Sequence, residues 1–174
     1  MVEKKWRTLS GVEVNLRQTI EQEMQDYPDI KGVIVATDSQ QIGKETEYVT
    51  VVTVHRPSKG GRVFYCRERV PRIRDLHQRL WKEAWMSTEL AMELTTAPDI
   101  GGVNIKVIEI HIDANIDKKF KSSKYVEELV GLVVGQGFSA IVKPDAWAAS
   151  HAADHVVKHK NQRGISKKAR RRAA

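Results

Sequence analysis

The stretch Gly32-Val33-Ile34-Val35-Ala36-Thr37-Asp38-Ser39-Gln40 constrains this chain more than any other. An apolar run rich in β-branched residues ends on a carboxylate followed by polar side chains. That pattern predicts a buried strand that delivers Asp38 to one rim of a sheet. A carboxylate held there by a rigid scaffold suits metal binding or catalysis. A strand that simply runs into an Asx-type turn has the same form. The reading therefore depends on what the rest of the chain brings to that rim.

The 174 residues fit one domain with a sizeable core. No segment approaches the ~20 consecutive apolar residues of a membrane helix, and Met1 to Trp6 lacks the apolar core of a signal peptide. A single cysteine, Cys66, excludes an internal disulfide framework and a cysteine-cluster zinc site, and predicts a reducing, cytoplasmic setting. The net charge of +7 is unevenly placed: of 29 Lys and Arg, eight lie from Lys158 onward, leaving 21 against 22 acids. The body is near neutral and the basic character belongs to the tail. Such a tail suits phosphate neutralisation and salt-dependent affinity, and is equally the pattern of a solvated, disordered end.

In chain order, Ser10-Gly11-Val12-Glu13 has the form of a capping box. Val12, Leu16, Ile20 and Met24 then predict an amphipathic helix to about Asp26, stopped by Tyr27-Pro28. After the first strand, Tyr48 to Val54 and Arg62 to Cys66 read as two more strands, joined by short turns into an antiparallel meander. Asp75 to about Leu94 is a long helix whose stripe Leu76, Leu80, Glu83, Ser87, Leu90, Leu94 follows one face. An acid in that stripe is costly to bury unless it is paired or bound to a cation; at the stripe's edge it would instead reach to solvent.

Asn104 to Asp113 predicts a fourth strand, again ending on an Asp. Reached through a helix, it suits a right-handed crossover that lays it parallel to the first strand. Asp38 and Asp113 would then lie side by side, where two like charges repel unless a cation neutralises them. Lys124 to Gly135 predicts another helix, Ser139 to Pro144 a fifth strand, and Ala146 to about His159 an Ala-rich last helix. We expect one domain over residues 1–160 and a basic disordered tail over 161–174.

The motifs Ala36-Thr37-Asp38-Ser39-Gln40, Ile110-His111-Ile112-Asp113-Ala114-Asn115 and Lys143-Pro144-Asp145-Ala146-Trp147-Ala148-Ala149, with Ala152-Ala153-Asp154 in the last helix, occur in a characteristic order. Over roughly residues 10–160 the chain resembles a ribonuclease H-like domain, and within that superfamily the uncharacterised bacterial YkuK-type family. The resemblance implies an α/β fold: a five-stranded mixed sheet, its first three strands antiparallel, with helices on both faces. The helix over 10–26 is an N-terminal addition.

It also implies a nuclease site in which four acids hold two Mg²⁺ or Mn²⁺ ions. Asp38 and Asp113 match the strand acids. Asp154 resembles the acid of the final helix, and Glu83 is the helix acid chosen for its place in the buried stripe, with Glu89 and Glu93 as substitutes. Asp145 opens the last helix, and His151 or His155 would assist proton movement, although each histidine also reads as an ordinary helix residue.

The expected partner is nucleic acid: RNA, RNA–DNA hybrid or structured DNA. Arg67, Arg69, Arg72 and Arg74, together with Arg79 and Lys82, cluster around the third strand and the start of the long helix. Lys118 and Lys119 follow Asp113, with Lys121 and Lys124 beyond, and the tail adds Lys167, Lys168, Arg170, Arg171 and Arg172. Such clusters track phosphates. Trp81 and Trp85 suit base stacking or packing. Two function classes remain: a metal-dependent nuclease, and a non-catalytic module of the same fold that binds nucleic acid or a protein.

Overall fold

A computed structural model describes residues 4–56, 60–96 and 104–147. Among these residues the chain forms seven strands and three α-helices. They are β1 (Trp6–Thr8), β2 (Glu13–Val14), α1 (Leu16–Asp26), β3 (Gly32–Ile42), β4 (Glu45–Arg56), β5 (Gly60–Pro71), α2 (Leu76–Thr95), β6 (Val107–Asn115), α3 (Val126–Gly135) and β7 (Ala140–Lys143). The strands make one mixed sheet in the order β2-β1-β5-β4-β3-β6-β7. The meander β3-β4-β5 is antiparallel, while β6 runs parallel to β3 and β7 parallel to β6. The expectation of five strands is corrected to seven, and the two additions come from the N-terminal segment.

That segment was expected to be helical from Ser10, and it is instead a hairpin. Gly11 sits at φ 92°, a conformation that favours glycine, and donates its N–H to the Thr8 carbonyl at 2.8 Å. Ser10 bonds the Thr8 hydroxyl at 2.8 Å rather than capping a helix. The cap belongs to Asn15, whose side chain accepts from the Gln18 N–H at 3.1 Å. Trp6 anchors the hairpin in the core.

The described helices all pack on one face. Ile20 of α1 and Leu90 and Leu94 of α2 meet Val33, Val35, Val52 and Phe64. Leu80, Ala84 and Ala91 of α2 join Leu129 and Val133 of α3 over Ile110 and Ile112. Each fully buried Val, Leu, Ile or Phe side chain among these stabilises by about 1.5–3 kcal/mol. On the second face Ala36, Val49 and Val51 are also buried. The last helix, expected over Ala146 to about His159, lies outside the described residues beyond Trp147, as does the domain boundary near residue 160. No helix among the described residues is long and apolar enough to cross a membrane.

Two local features set how β3 and β6 align. Val33 pairs with Val107, but Ile34 pairs with Glu109, so β6 carries one extra residue there. A one-residue slip exchanges the faces of a strand. The bulge makes Thr37 oppose Ile112 and brings Asp113, one residue on, beside Asp38. Next to the bulge, Gly32 at φ 145° lies so close to β6 that a Cβ would sit 2.3 Å from the Lys106 carbonyl oxygen.

Gly32→Ala should therefore destabilise the protein by about 2 kcal/mol, through the left-handed backbone and the clash together. Thermal unfolding checks this: a lowered Tm is expected, and an unchanged Tm would contradict the tight β3–β6 approach.

Candidate active site

The pairing of β3 with β6 ends at Thr37 and Ile112, while β3 continues to Ile42 alongside β4. Asp38 thus lies within a long strand, at the point where its parallel neighbour departs, rather than at the strand's end as expected. The opening beyond the carboxyl end of β6 is where open α/β sheets place their ligands. Helix α2 crosses this opening. Its start is fixed by Asp75, which caps the Gln78 N–H at 2.8 Å. Farther along, Ser87 donates to the Thr37 hydroxyl at 2.8 Å, which in turn shares a 3.0 Å bond with Thr50. Glu83 lies one turn before this pin and is 4% exposed.

Asp38, Glu83 and Asp113, supplied by three different elements, line one cleft together with Ser39, Arg79, Asn115, Phe120, Lys121, Ser122 and Lys143. Their electrostatics are strained in one direction. Burial pushes the Asp38 carboxyl up to about 7, and the charge of Asp113 and a hydrogen bond that protonated Asp38 donates to its carboxylate add to this. The Ser39 N–H, donating to Asp38 at 2.7 Å, and the Lys143 charge oppose it. Burial likewise drives Glu83 well above the ordinary carboxylate value; Asp38 and Asp113 add to the effect, while a Ser39 hydrogen bond and Arg79 oppose it. The cluster resists carrying its full negative charge without a cation.

Two basic side chains partly answer that charge. Lys143 forms a salt bridge to Oδ1 of Asp113. Arg79 donates from Nη1 to the Ser39 hydroxyl at 3.2 Å, and its Nε is buried with no hydrogen-bond partner. With Asp113 held by Lys143 and Glu83 by Ser39, no three His, Cys, Asp or Glu side chains among the described residues stand ready-made around a metal ion. In chemistry the donor set nevertheless fits one: carboxylate oxygens are the ligands of Mg²⁺ and Mn²⁺.

Other expected site residues fall elsewhere. Glu89 is on the exposed side of α2, 3.7 Å from Lys4, and Glu93 is exposed. Asp145 is exposed in the turn after β7 and does not line the cleft. Asp154, His151, His155 and the basic tail with Lys167, Lys168, Arg170, Arg171 and Arg172 lie outside the described residues.

The basic cluster divides. Arg67 and Arg69 both bind the buried Glu47, at 2.7 Å and 2.9 Å, so much of their charge is spent inside the protein. Arg72 bonds the Gly43 carbonyl at 2.8 Å, and Arg74 is exposed. Lys118 and Lys119 are exposed on the loop after β6, the latter 3.6 Å from Asp117. Trp81 and Trp85 stack on each other at 5.7 Å on the outer side of α2.

Sequence reasoning missed Lys143 as a site residue, because its role depends on the pairing of β7 with β6. It also missed the β6 bulge, which did leave a signal. The apolar positions switch from odd (Ile105, Val107) to even (Ile108, Ile110, Ile112, Ala114).

The Ribonuclease H-like family profile matches residues 15–158. The chain is also similar to the uncharacterized protein YkuK of Bacillus subtilis (strain 168), with 28% identity over 135 residues that cover 71% of this chain and 77% of the relative. No solved structure gives a significant match. With the family profile spanning most of its length, the chain belongs to the Ribonuclease H-like family.

Proposed function

We propose that the protein is a metal-dependent nuclease that hydrolyses phosphodiester bonds in RNA, RNA–DNA hybrid or structured DNA. The observation that carries this reading is the meeting of Asp38, Glu83 and Asp113 from β3, α2 and β6 in one cleft at the sheet rim. Asp38 and Asp113, side by side, would be the shared ligands; Glu83 would serve one ion, and Asp154 the other. A pair of Mg²⁺ or Mn²⁺ ions supplies an activated water and a counter-charge for the leaving oxygen of a phosphodiester.

The protein's own groups do the rest. Burial on the α2 side keeps bulk water from Glu83. The Ser39 N–H orients Asp38, and the Ser39 hydroxyl links Arg79 to Glu83. The exposed Lys121 lines the cleft, Lys118 and Lys119 precede it in the chain, and all three suit contacts to phosphates that position without reading sequence. Arg72, Arg74 and the tail would extend that surface, and a cytoplasmic setting belongs to the same reading.

A second reading, a non-catalytic module binding nucleic acid or a protein, is favoured by one observation. Asp113 is tied to Lys143, so the three acids do not stand in ligating positions.

Mn²⁺-dependent cleavage of labelled RNA, RNA–DNA hybrid, duplex DNA and four-way junctions separates the two readings. Asp38→Asn and Asp113→Asn should each lower the rate more than about 100-fold, beyond the effect usual for a ligand's supporting partners. Absence of cleavage on every substrate, with no Mn²⁺ binding by calorimetry, would favour the binding module.

A stability test needs no substrate. Asp38 titrates near 7 in the folded protein and near 3.8 when unfolded, so the native state holds a proton that the unfolded chain has lost. Without divalent cations, stability should fall as pH rises from about 4 to 7. Asp38→Asn should reduce that slope, leaving the part that the buried Glu83 contributes, and exceed the wild type by on the order of 2–4 kcal/mol at neutral pH. Denaturant unfolding in a chelator across this range measures it; equal slopes in the two proteins would contradict the burden placed on Asp38.

A further inference from the structure

Lys143 occupies an unusual place in the sheet. Strands β6 and β7 run in step as far as Ile112 and Val142, and the next pair is Asn115 with Lys143. Asp113 and Ala114 of β6 therefore oppose no residue of β7, and the ladder opens beside the acid pair. Into this opening Lys143 sends its ammonium to Oδ1 of Asp113. The pair is neither sealed nor free: the Lys143 side chain is 33% exposed and that of Asp113 21%. The same charge reaches Asp38, where it opposes the effects of burial and of Asp113.

Arg79, a second cation of the cleft, is held differently. Arg79 rises from α2, donates to Ser39, and has its Nε buried. A guanidinium fixed on a helix in this way is part of the wall. An ammonium on a four-carbon stem, bound to one carboxylate oxygen at the cleft's edge, is the more readily moved of the two.

We propose that Lys143 is an exchangeable counter-cation of this site: it neutralises Asp113 while no metal is bound, leaves when a divalent cation takes that carboxylate, and then contacts the phosphate of the bound substrate. The proposal rests on the metal-dependent reading of the acids given above. Two facts favour the exchange. Oδ1 of Asp113 cannot serve the ammonium and a metal ion in the same position, and two cations at one carboxylate repel. The released ammonium has polar neighbours, because Ser122 and Asn115 line the same cleft, and Lys121 there is a second cation for the same phosphate. A phosphodiester seated over the acids would present its anionic oxygens there, and lysine binds phosphate as a point charge.

The proposal reverses the sign expected of an ordinary structural ion pair. If Lys143 only braced Asp113, its removal would leave the metal affinity unchanged or weaken it by disordering the carboxylate. If it competes with the metal, its removal strengthens binding while it harms substrate turnover.

Calorimetric titration of the full chain with MnCl₂, at constant pH and ionic strength, separates these outcomes. Lys143→Gln and Lys143→Met should bind Mn²⁺ about 3–10-fold more tightly than the wild type, the scale of a partly exposed ion pair. Lys143→Arg, which keeps the charge, should stay within about twofold of the wild type. In the cleavage assay the two neutral variants should lose at least about tenfold in rate, and the Arg variant should retain more. Equal or weaker Mn²⁺ binding by folded Lys143→Gln or Lys143→Met overturns the exchange and leaves the metal site standing. No Mn²⁺ binding by the wild type removes the metal-dependent reading itself, and the exchange with it. Should neither neutral variant fold, ¹⁵N spectra of the lysine ammonium groups of the wild type report the same event. The Asp113-paired signal should move on addition of Mg²⁺, and a signal that stays in place overturns the proposal.

Discussion

The site depends on how β3 and β6 meet. Their parallel pairing carries one bulge, between Val33 and Ile34 in the count of β3. Beyond that bulge Ile110, Ile112 and Ala114 join the core under α2 and α3, and the alternate positions, Asp113 among them, fall on the other side of the strand. With the bulge absent, Ile112 would lie beside Asp38 and Asp113 would be displaced. Gly32 makes the approach possible, since its missing side chain admits the Lys106 carbonyl. Backbone geometry some six residues away thus decides which side chain becomes Asp38's neighbour.

Charge is the second constraint. Burying a carboxylate without a partner costs several kcal/mol, and placing a second beside it costs more. Here the cost is only partly offset. Lys143 answers Asp113, and Ser39 and Arg79 answer Glu83, yet Asp38 and Glu83 both stay well above the ordinary carboxylate range. Elsewhere the same protein sets each buried acid against two arginines. Glu47 is held by Arg67, Arg69 and Gln40, and Glu23 by Arg56 and Arg62. The contrast marks the rim cluster as the place where compensation has been left incomplete, which is what a cation-binding or catalytic site requires.

Much of this was legible in the residues. The apolar run to Asp38, the second run to Asp113 and the buried stripe through Glu83 each marked an element that the fold contains. The crossover rule then brought the two aspartates together. Misreadings arose where local signals compete. Ser10 to Glu13 spells a capping box, but Gly11 and the burial of Trp6 favour a hairpin, and Asn15 caps the helix instead. That exchange is why the sheet has seven strands. The acid that Arg67 and Arg69 pair with was hidden, because a linear sequence does not show that β4 sets Glu47 opposite Arg69 and near Arg67. Lys143 stayed hidden for the same reason: its partner is 30 residues away, across a break in a parallel ladder that no local pattern records.

The central claim is that Asp38, Glu83 and Asp113 form a divalent-cation site, and anomalous diffraction from a crystal soaked in MnCl₂ tests it most directly. The account predicts a manganese peak within about 2.0–2.3 Å of carboxylate oxygens from both Asp38 and Asp113, with Glu83 turned toward it. A soaked crystal with no peak in this cleft, its Asp113 still bound to Lys143, would contradict the claim.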